Sequence, residues 1–179
     1  MNTFIPASNY YSQQSDRLLF RSFRKEDVQL WEAFFISNPT MRFLGMENLK
    51  ISNEEKATKW IGKQIEREKN EEYGQLAVLN KKNNQLIGVG GIIARELNGL
   101  REFEITYSLL PKFWGNGYAT ELAEHFKKYA FANIDISSVI SIIHIENNAS
   151  IRVALKNGMV ENGKTTFMKM PVYIFRIER

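Results

Sequence analysis

No cysteine occurs in this chain, which excludes a disulfide framework, a thiol nucleophile and thiolate metal ligation, and fits a reducing compartment. Histidine is almost as scarce. His125 and His144 alone make a poor metal site, so no metal is expected. No apolar run approaches the roughly 20 residues that span a bilayer, and no membrane partner is expected. The first 14 residues, rich in Asn, Ser, Tyr and Gln, lack the basic start and apolar segment of a signal peptide. They read as a flexible tail over 1–14, followed by a single domain over 15–179 in the cytoplasm. Nor is charge of one sign concentrated: the net charge is +4, yet Lys and Arg are interleaved with Glu rather than gathered in a block. Direct nucleic-acid binding is therefore not expected, whereas a mild positive bias suits a small polyanion.

What is present is a core-forming composition, 44% hydrophobic and 12% aromatic over 179 residues, enough for one substantial core and too little for two comfortable domains. Residues 16–23 alternate around Leu18 and Phe20 as a strand. Lys25-Glu26-Asp27 then opens a helix carrying Val28, Trp31, Phe34 and Phe35, which Asn38-Pro39 stops. Ser52-Asn53-Glu54-Glu55 is a capping signal for a helix to about Asn70 that buries Ala57, Trp60, Ile61 and Ile65. Residues 74–79 and 85–94 read as strands joined by a turn-rich pentapeptide, and Asn98-Gly99 turns the chain into the strand containing Glu104. Residues 138–145 read as a buried strand, 147–157 as a short helix closed by Gly158, and 169–177 as a last strand. Hairpin-linked strands followed by a strand-helix-strand unit predict an α+β fold. It has a mixed, mostly antiparallel sheet of about seven strands flanked by about four helices.

The segment Phe113-Trp114-Gly115-Asn116-Gly117-Tyr118-Ala119-Thr120 stands where the strand over 103–110 ends, at Pro111, and a helix with Ala119, Leu122, Ala123, Phe126 and Ala130 on one face begins. Bare amides at a helix start bind phosphate. A tight turn that needs only positive φ explains the same spacing. A dinucleotide fingerprint does not, because its third glycine is Thr120 here.

A second glycine motif, Gly158-Met159-Val160-Glu161-Asn162-Gly163-Lys164-Thr165, is a literal match to the P-loop pattern of a nucleotide phosphotransferase. Its context is wrong: a helix precedes it, and the extended residues 166–172, with Pro171, follow it. Glu104 lies opposite Phe103 and Ile105 on its strand, so it is either a general base or the partner of a neighbouring cation such as Arg95. Asn147 or Asn148 caps the helix ahead of Ser150, leaving the other asparagine for a ligand.

Together these residues resemble the GNAT superfamily of acyl-CoA-dependent N-acetyltransferases, in its RimJ/RimL-like branch of ribosomal-protein N-terminal acetyltransferases. Asp16-Arg17-Leu18-Leu19-Phe20-Arg21 looks like the opening strand, Glu104-Ile105-Thr106-Tyr107 like the central strand, and the segment from Trp114 to Glu121 like the pyrophosphate loop. Asn147-Asn148-Ala149-Ser150 with Lys156-Asn157-Gly158 looks like the second cofactor motif. The resemblance implies acetyl-CoA in a cleft where two central strands splay. Ser108, Leu109 and Leu110 would bond the pantetheine by backbone, residues 114–120 would hold the pyrophosphate, and Asn147 would reach the pantetheine arm. It also implies an amine acceptor, a peptide N-terminus or a small molecule, entering between the first two helices and the final strands. Glu104 or a water chain would act as base. Many relatives carry a tyrosine acid where this chain has Ala154, so Ser150, another group or water must serve. Relatives acetylate polyamines, antibiotics and other amines, and the sequence does not choose among them. A homodimer stays open, as does a CoA-binding module without chemistry.

Overall fold

The computed structural model describes residues 5–46 and 48–179. They form eight strands, β1 (Ser12–Gln14), β2 (Leu18–Arg21), β3 (Gln75–Asn80), β4 (Leu86–Leu97), β5 (Leu100–Leu109), β6 (Ser138–His144), β7 (Val160–Phe167) and β8 (Met170–Glu178). Four α-helices accompany them, α1 (Asp27–Trp31), α2 (Asn53–Lys69), α3 (Tyr118–Asn133) and α4 (Asn148–Lys156). The strands make one sheet in the order β1-β2-β3-β4-β5-β6-β8-β7. Every neighbouring pair is antiparallel except β5 and β6. This is the expected mixed α+β architecture with one strand more than anticipated, β1.

That extra strand lies in the segment expected as a flexible tail. Residues 1–4 are outside the described residues, but from Ser8 the chain is built into the fold: Ser8–Tyr11 make a 3-10 turn and β1 pairs with β2. The reason is Tyr10, which is fully buried. Its hydroxyl donates to the carbonyl of Gly74 and accepts the amide of Ile92 at 2.9 Å, and its ring meets Tyr73 edge-on with centroids 4.9 Å apart. One aromatic anchor inside a polar segment outweighs the composition around it.

Both sheet faces are covered. On β3, Leu76 and Val78 join Leu122 and Phe126 of α3, while the alternate residues Ala77 and Leu79 join Trp31, Phe34 and Ile61 from the first two helices. The expected first helix is shorter than its periodicity: α1 tightens into a 3-10 turn over Glu32–Phe35. Its start is fixed at Asp27, whose carboxylate accepts the Arg24 amide at 2.8 Å and pairs with Arg21 at 2.7 Å. Helix α2 starts at the predicted capping box, with Glu55 N–H on the Ser52 hydroxyl at 3.0 Å and Ser52 N–H on the Glu55 carboxylate at 2.9 Å. Among the described residues no helix is long and apolar enough to cross a membrane.

Candidate active site

Strand β5 passes to α3 through a 3-10 turn at Pro111–Phe113 and then Gly115 and Gly117, both with φ of 78°. That is the left-handed region which side chains disfavour. A Cβ at Gly115 would meet nothing within 4 Å, so glycine is required there by backbone shape and not by crowding. The first intrahelical bond of α3 runs from Glu121 N–H to the Gly117 carbonyl at 3.1 Å. The amides of Tyr118, Ala119 and Thr120 therefore lack helical acceptors and stand at the positive end of a 16-residue helix.

The loop is tied down from several sides. Trp114 Nε1–H donates to the Leu109 carbonyl at 2.8 Å, and the Asn116 side-chain amide donates to the carbonyls of Phe113 and Trp114. Arg17 clamps it from outside: Nη1 donates to the Asn116 carbonyl at 3.0 Å, Nε meets Glu121 at 2.6 Å, and the guanidinium lies 4.7 Å from the Tyr118 ring centre. Burial raises the Glu121 carboxyl, but hydrogen bonds from Ser15 and Arg17 outweigh it and hold the group below its ordinary value.

Strands β5 and β6 pair at a single register point, Glu104 with Ile140. Beyond it they part. The Ile105 carbonyl accepts the Ser141 hydroxyl at 3.0 Å, and the Ile142 amide donates to the Glu104 carboxylate. On the other side of β5, Leu110 N–H donates to the Ile87 carbonyl at 2.9 Å. Alternation in an antiparallel pair then turns the main-chain groups of Ser108 and Leu110 toward β4, and those of Tyr107 and Leu109 toward the gap. Of Ser108, Leu109 and Leu110, expected to offer backbone to a ligand, the first and last turn their main-chain groups to β4. Leu109 offers its N–H, its carbonyl being held by Trp114, and Tyr107 joins it.

Glu104 is 6% exposed. Arg95 on β4 engages its Oε2 through Nε at 2.6 Å and Nη2 at 2.5 Å, so the ion pair weighed against the base role is present. Burial pushes the carboxyl up, while the Arg95 charge and hydrogen bond and the Ile142 amide oppose it; the net direction is upward. Both Arg95 nitrogens sit on one oxygen, which leaves the other uncommitted to the guanidinium.

Two cavities open from the gap between β5 and β6. One, about 300 Å³, is bounded by the glycine loop and α4, with Gly115, Gly117, Thr120, Arg152 and Lys156 in its wall. The other, about 540 Å³, lies toward α2 and the turn between β7 and β8, with Trp60, Arg67, Arg95, Glu104 and Phe167 in its wall. Phe43, Leu44, Tyr107, Ser108, Asn147 and Ser150 line both. At this junction the Tyr107 hydroxyl donates to the Ser150 carbonyl at 3.2 Å, and Asn147 Oδ1 caps α4 by accepting Ser150 N–H at 3.2 Å. The cap and the cavity-lining amide are thus the same residue, and Asn148 is exposed.

Comparison with known proteins gives the family. The family model described as Acetyltransferase (GNAT) domain matches residues 17–160. This chain belongs to the GNAT acetyltransferase family. It is 27% identical over 150 residues to the uncharacterised N-acetyltransferase YoaA of Bacillus subtilis (strain 168), covering 84% of this chain and 83% of YoaA. The crystal structure of a GNAT-family acetyltransferase from Bacillus anthracis matches with a TM-score of 0.75 at 23% identity over 98% of both chains. RimL, a ribosomal L7/L12 alpha-N-protein acetyltransferase in complex with coenzyme A, matches with a TM-score of 0.72 at 16% identity, over 92% of this chain and 95% of RimL. At those identities the structural likeness is one of fold.

As a GNAT acetyltransferase the protein takes its acyl group from acetyl-CoA, and the residues present fit that donor. The unpaired amides of the cradle would suit a pyrophosphate, and the strand backbone at Tyr107 and Leu109 would suit an amide-bearing arm. Arg152 and Lys156, four residues apart on α4, add positive charge to the same cavity. Neither the charge on α4 nor the pair Phe43 and Leu44 stands out in the sequence as part of a site. No periodicity marks the 3-10 turn Pro39–Leu44 that carries the latter pair. The P-loop-like stretch runs from Gly158 into strand β7, with Lys164 Nζ 4.7 Å from the Tyr173 ring centre, and none of residues 158–165 lines either cavity.

Proposed function

We propose that this GNAT enzyme moves the acetyl group directly from acetyl-CoA to a primary amine, with residues 114–120 on the pyrophosphate and Asn147 on the pantetheine arm. The observation that carries this reading is the junction at Tyr107 and Ser150, the place where the two cavities share walls. The donor enters from the cradle side and the amine from the α2 side. Nitrogen attacks the thioester carbonyl carbon, the C–N bond forms and the C–S bond breaks. The amine proton leaves through water to Glu104, and the departing thiolate takes a proton from the Ser150 hydroxyl, or from that of Tyr107, which burial keeps protonated. No covalent enzyme intermediate is required, because positioning both reactants supplies much of the rate.

The RimJ/RimL-like motifs and the fold shared with RimL support a peptide N-terminus or another primary amine as acceptor. Ala154, fully buried where relatives place a tyrosine acid, favours the second reading of a CoA-binding module without chemistry. Thiol release from acetyl-CoA with a panel of primary amines, run beside calorimetric titration of CoA, separates the two. Binding without thiol release from any amine would establish the non-catalytic module.

A further inference from the structure

The cavity toward α2 has an uneven charge. Lys56, Lys59, Lys63, Arg67 and Arg95 line it, and among its described lining residues Glu104 is the one carboxylate. Arg95 is answered by Glu104. Lys59 and Lys63 are exposed to water, where they cost nothing. Half-buried Lys56 rests 3.5 Å from Asn53 Oδ1, which leaves Arg67, the second arginine of the wall. It is half-buried, it forms no ion pair among the described residues, and its guanidinium contact is Nη1 to the side-chain oxygen of Gln64 at 3.4 Å.

That position is built. Gln64 is itself buried, and its oxygen also accepts the Gln75 amide at 2.9 Å, which fixes where the guanidinium rests. The Arg67 stem packs against Gly74, close enough that a Cβ there would stand 3.2 Å from Arg67 Cδ. Burial and the neighbouring Arg95 act against its charge and outweigh Glu72 and Glu104, which favour it without pairing. An arginine does not escape this by losing its proton, so a fixed cation faces a largely apolar wall that includes Trp60 and Phe167. Holding an unanswered guanidinium there is costly unless a ligand brings the anion.

We infer that the acceptor is an amine that also carries a carboxylate or phosphate, seated on the Arg67 guanidinium while its amine reaches the Tyr107–Ser150 junction. Arg67 offers the planar donor fork suited to either anion, and the three α2 lysines bias the mouth of the cavity toward it. Polyamines and other polycations are disfavoured by the same charges. The inference rests on the transferase reading above and narrows its substrate class.

The test compares matched amines by steady-state thiol release. One pair is a peptide beginning Ser-Asp-Glu against its Ser-Asn-Gln counterpart, the other phosphoethanolamine against ethanolamine, with spermidine as the cationic probe. The anionic member of at least one pair should have a kcat/KM about 10- to 100-fold higher, and which pair responds distinguishes a peptide from a small-molecule source. Arg67→Gln should collapse that ratio toward one, and Arg67→Lys should retain part of it. In the unmodified enzyme the preference should shrink as salt is raised from 50 to 500 mM, a readout that does not depend on the variants folding. Preference for the neutral amines or spermidine, or a ratio unmoved by Arg67→Gln, overturns the inference and leaves the transferase reading standing. CoA binding without transfer to any amine overturns both.

Discussion

Glu104 on β5 holds Arg95 on β4 at 2.5–2.6 Å through one carboxylate oxygen, and the same carboxylate takes the amide of Ile142 on β6. One side chain therefore touches three strands. The carboxylate sits at the single register point of the parallel pair, Glu104 with Ile140, where the gap begins. Glu104→Gln keeps the shape and removes the basicity, so kcat should fall about 100-fold, the low end for loss of a general base. CoA affinity should stay within about threefold by calorimetry. Full turnover across the pH range would remove Glu104 as the base and leave it as the ion-pair partner of Arg95.

Arg95→Met leaves that buried carboxylate without its cation, a change that costs about 3–5 kcal/mol where one partner of a buried pair is lost. The pH dependence has a definite sign. Without Arg95 the folded-state carboxyl rises further above its unfolded value, so the neutral form is favoured in the fold. The deficit is then small in acid, below the ordinary value of 4.5, grows as pH rises from there, and is complete once pH has passed through the raised folded value. Urea unfolding at pH 4 and pH 8 checks this. An equal deficit at both would mean that packing, not charge, is what Arg95 supplies.

Gly117 precedes α3 in a left-handed conformation, and a Cβ there would stand 3.5 Å from Arg17 Nη2, a contact the protein tolerates. Gly117→Val should therefore cost mainly the backbone strain of about 1–2 kcal/mol, or about 2–8 °C in Tm for a chain of this size. Its larger effect should be on the ligand, with CoA affinity reduced at least about tenfold as the strained backbone turns the cradle amides away. Unchanged calorimetric affinity would sink the cradle assignment.

Those outcomes bear on features that local sequence encodes well. The capping box at Ser52 and Glu55, the Asn98-Gly99 hairpin and the double glycine before α3 are each readable because the cause lies within a few residues of the effect. Arg67, Phe43 and Leu44 were not readable, because their meaning comes from elements distant in the chain that close one cavity. Which face of β5 its backbone presents was hidden for the same reason. It depends on the register with β4, and a shift of one residue would exchange Ser108 for Tyr107 in the gap. The Glu104–Arg95 pair was foreseeable as one of two alternatives, since hairpin pairing through a two-residue turn already brings those positions close.

Arg17 reaches 104 residues along the chain to Glu121 and also holds the Asn116 carbonyl, so it sets the loop's shape without lining the cavity. The pair is partly exposed, and Arg17→Ala should cost no more than about 1 kcal/mol of stability. CoA affinity should nevertheless drop by about 3- to 10-fold in the folded protein, because the amides lose their alignment. Glu121 sits below its ordinary pKa of 4.5, so its contribution is complete above that value and is lost as pH falls through the depressed one. In Arg17→Ala that acid-sensitive component should shrink. A variant with unaltered CoA affinity would show that the glycines hold the cradle without the clamp.

Tyr10 tests whether the segment ahead of β1 belongs to the fold. Its hydroxyl serves two main-chain groups at once, donating to Gly74 and accepting from Ile92, at a place with no exposure to water. Tyr10→Phe keeps the ring, with its contacts to Tyr73 and Phe126, and leaves those two backbone groups without that partner. The expected loss is about 1–3 kcal/mol, the cost of a buried unsatisfied polar group, seen as a Tm lower by about 2–12 °C. Amide exchange should accelerate at Ile92, in the middle of β4, although the altered residue lies 82 positions away. A Tm and exchange rate equal to those of the unmodified protein would return the segment to the loose tail that its composition implies.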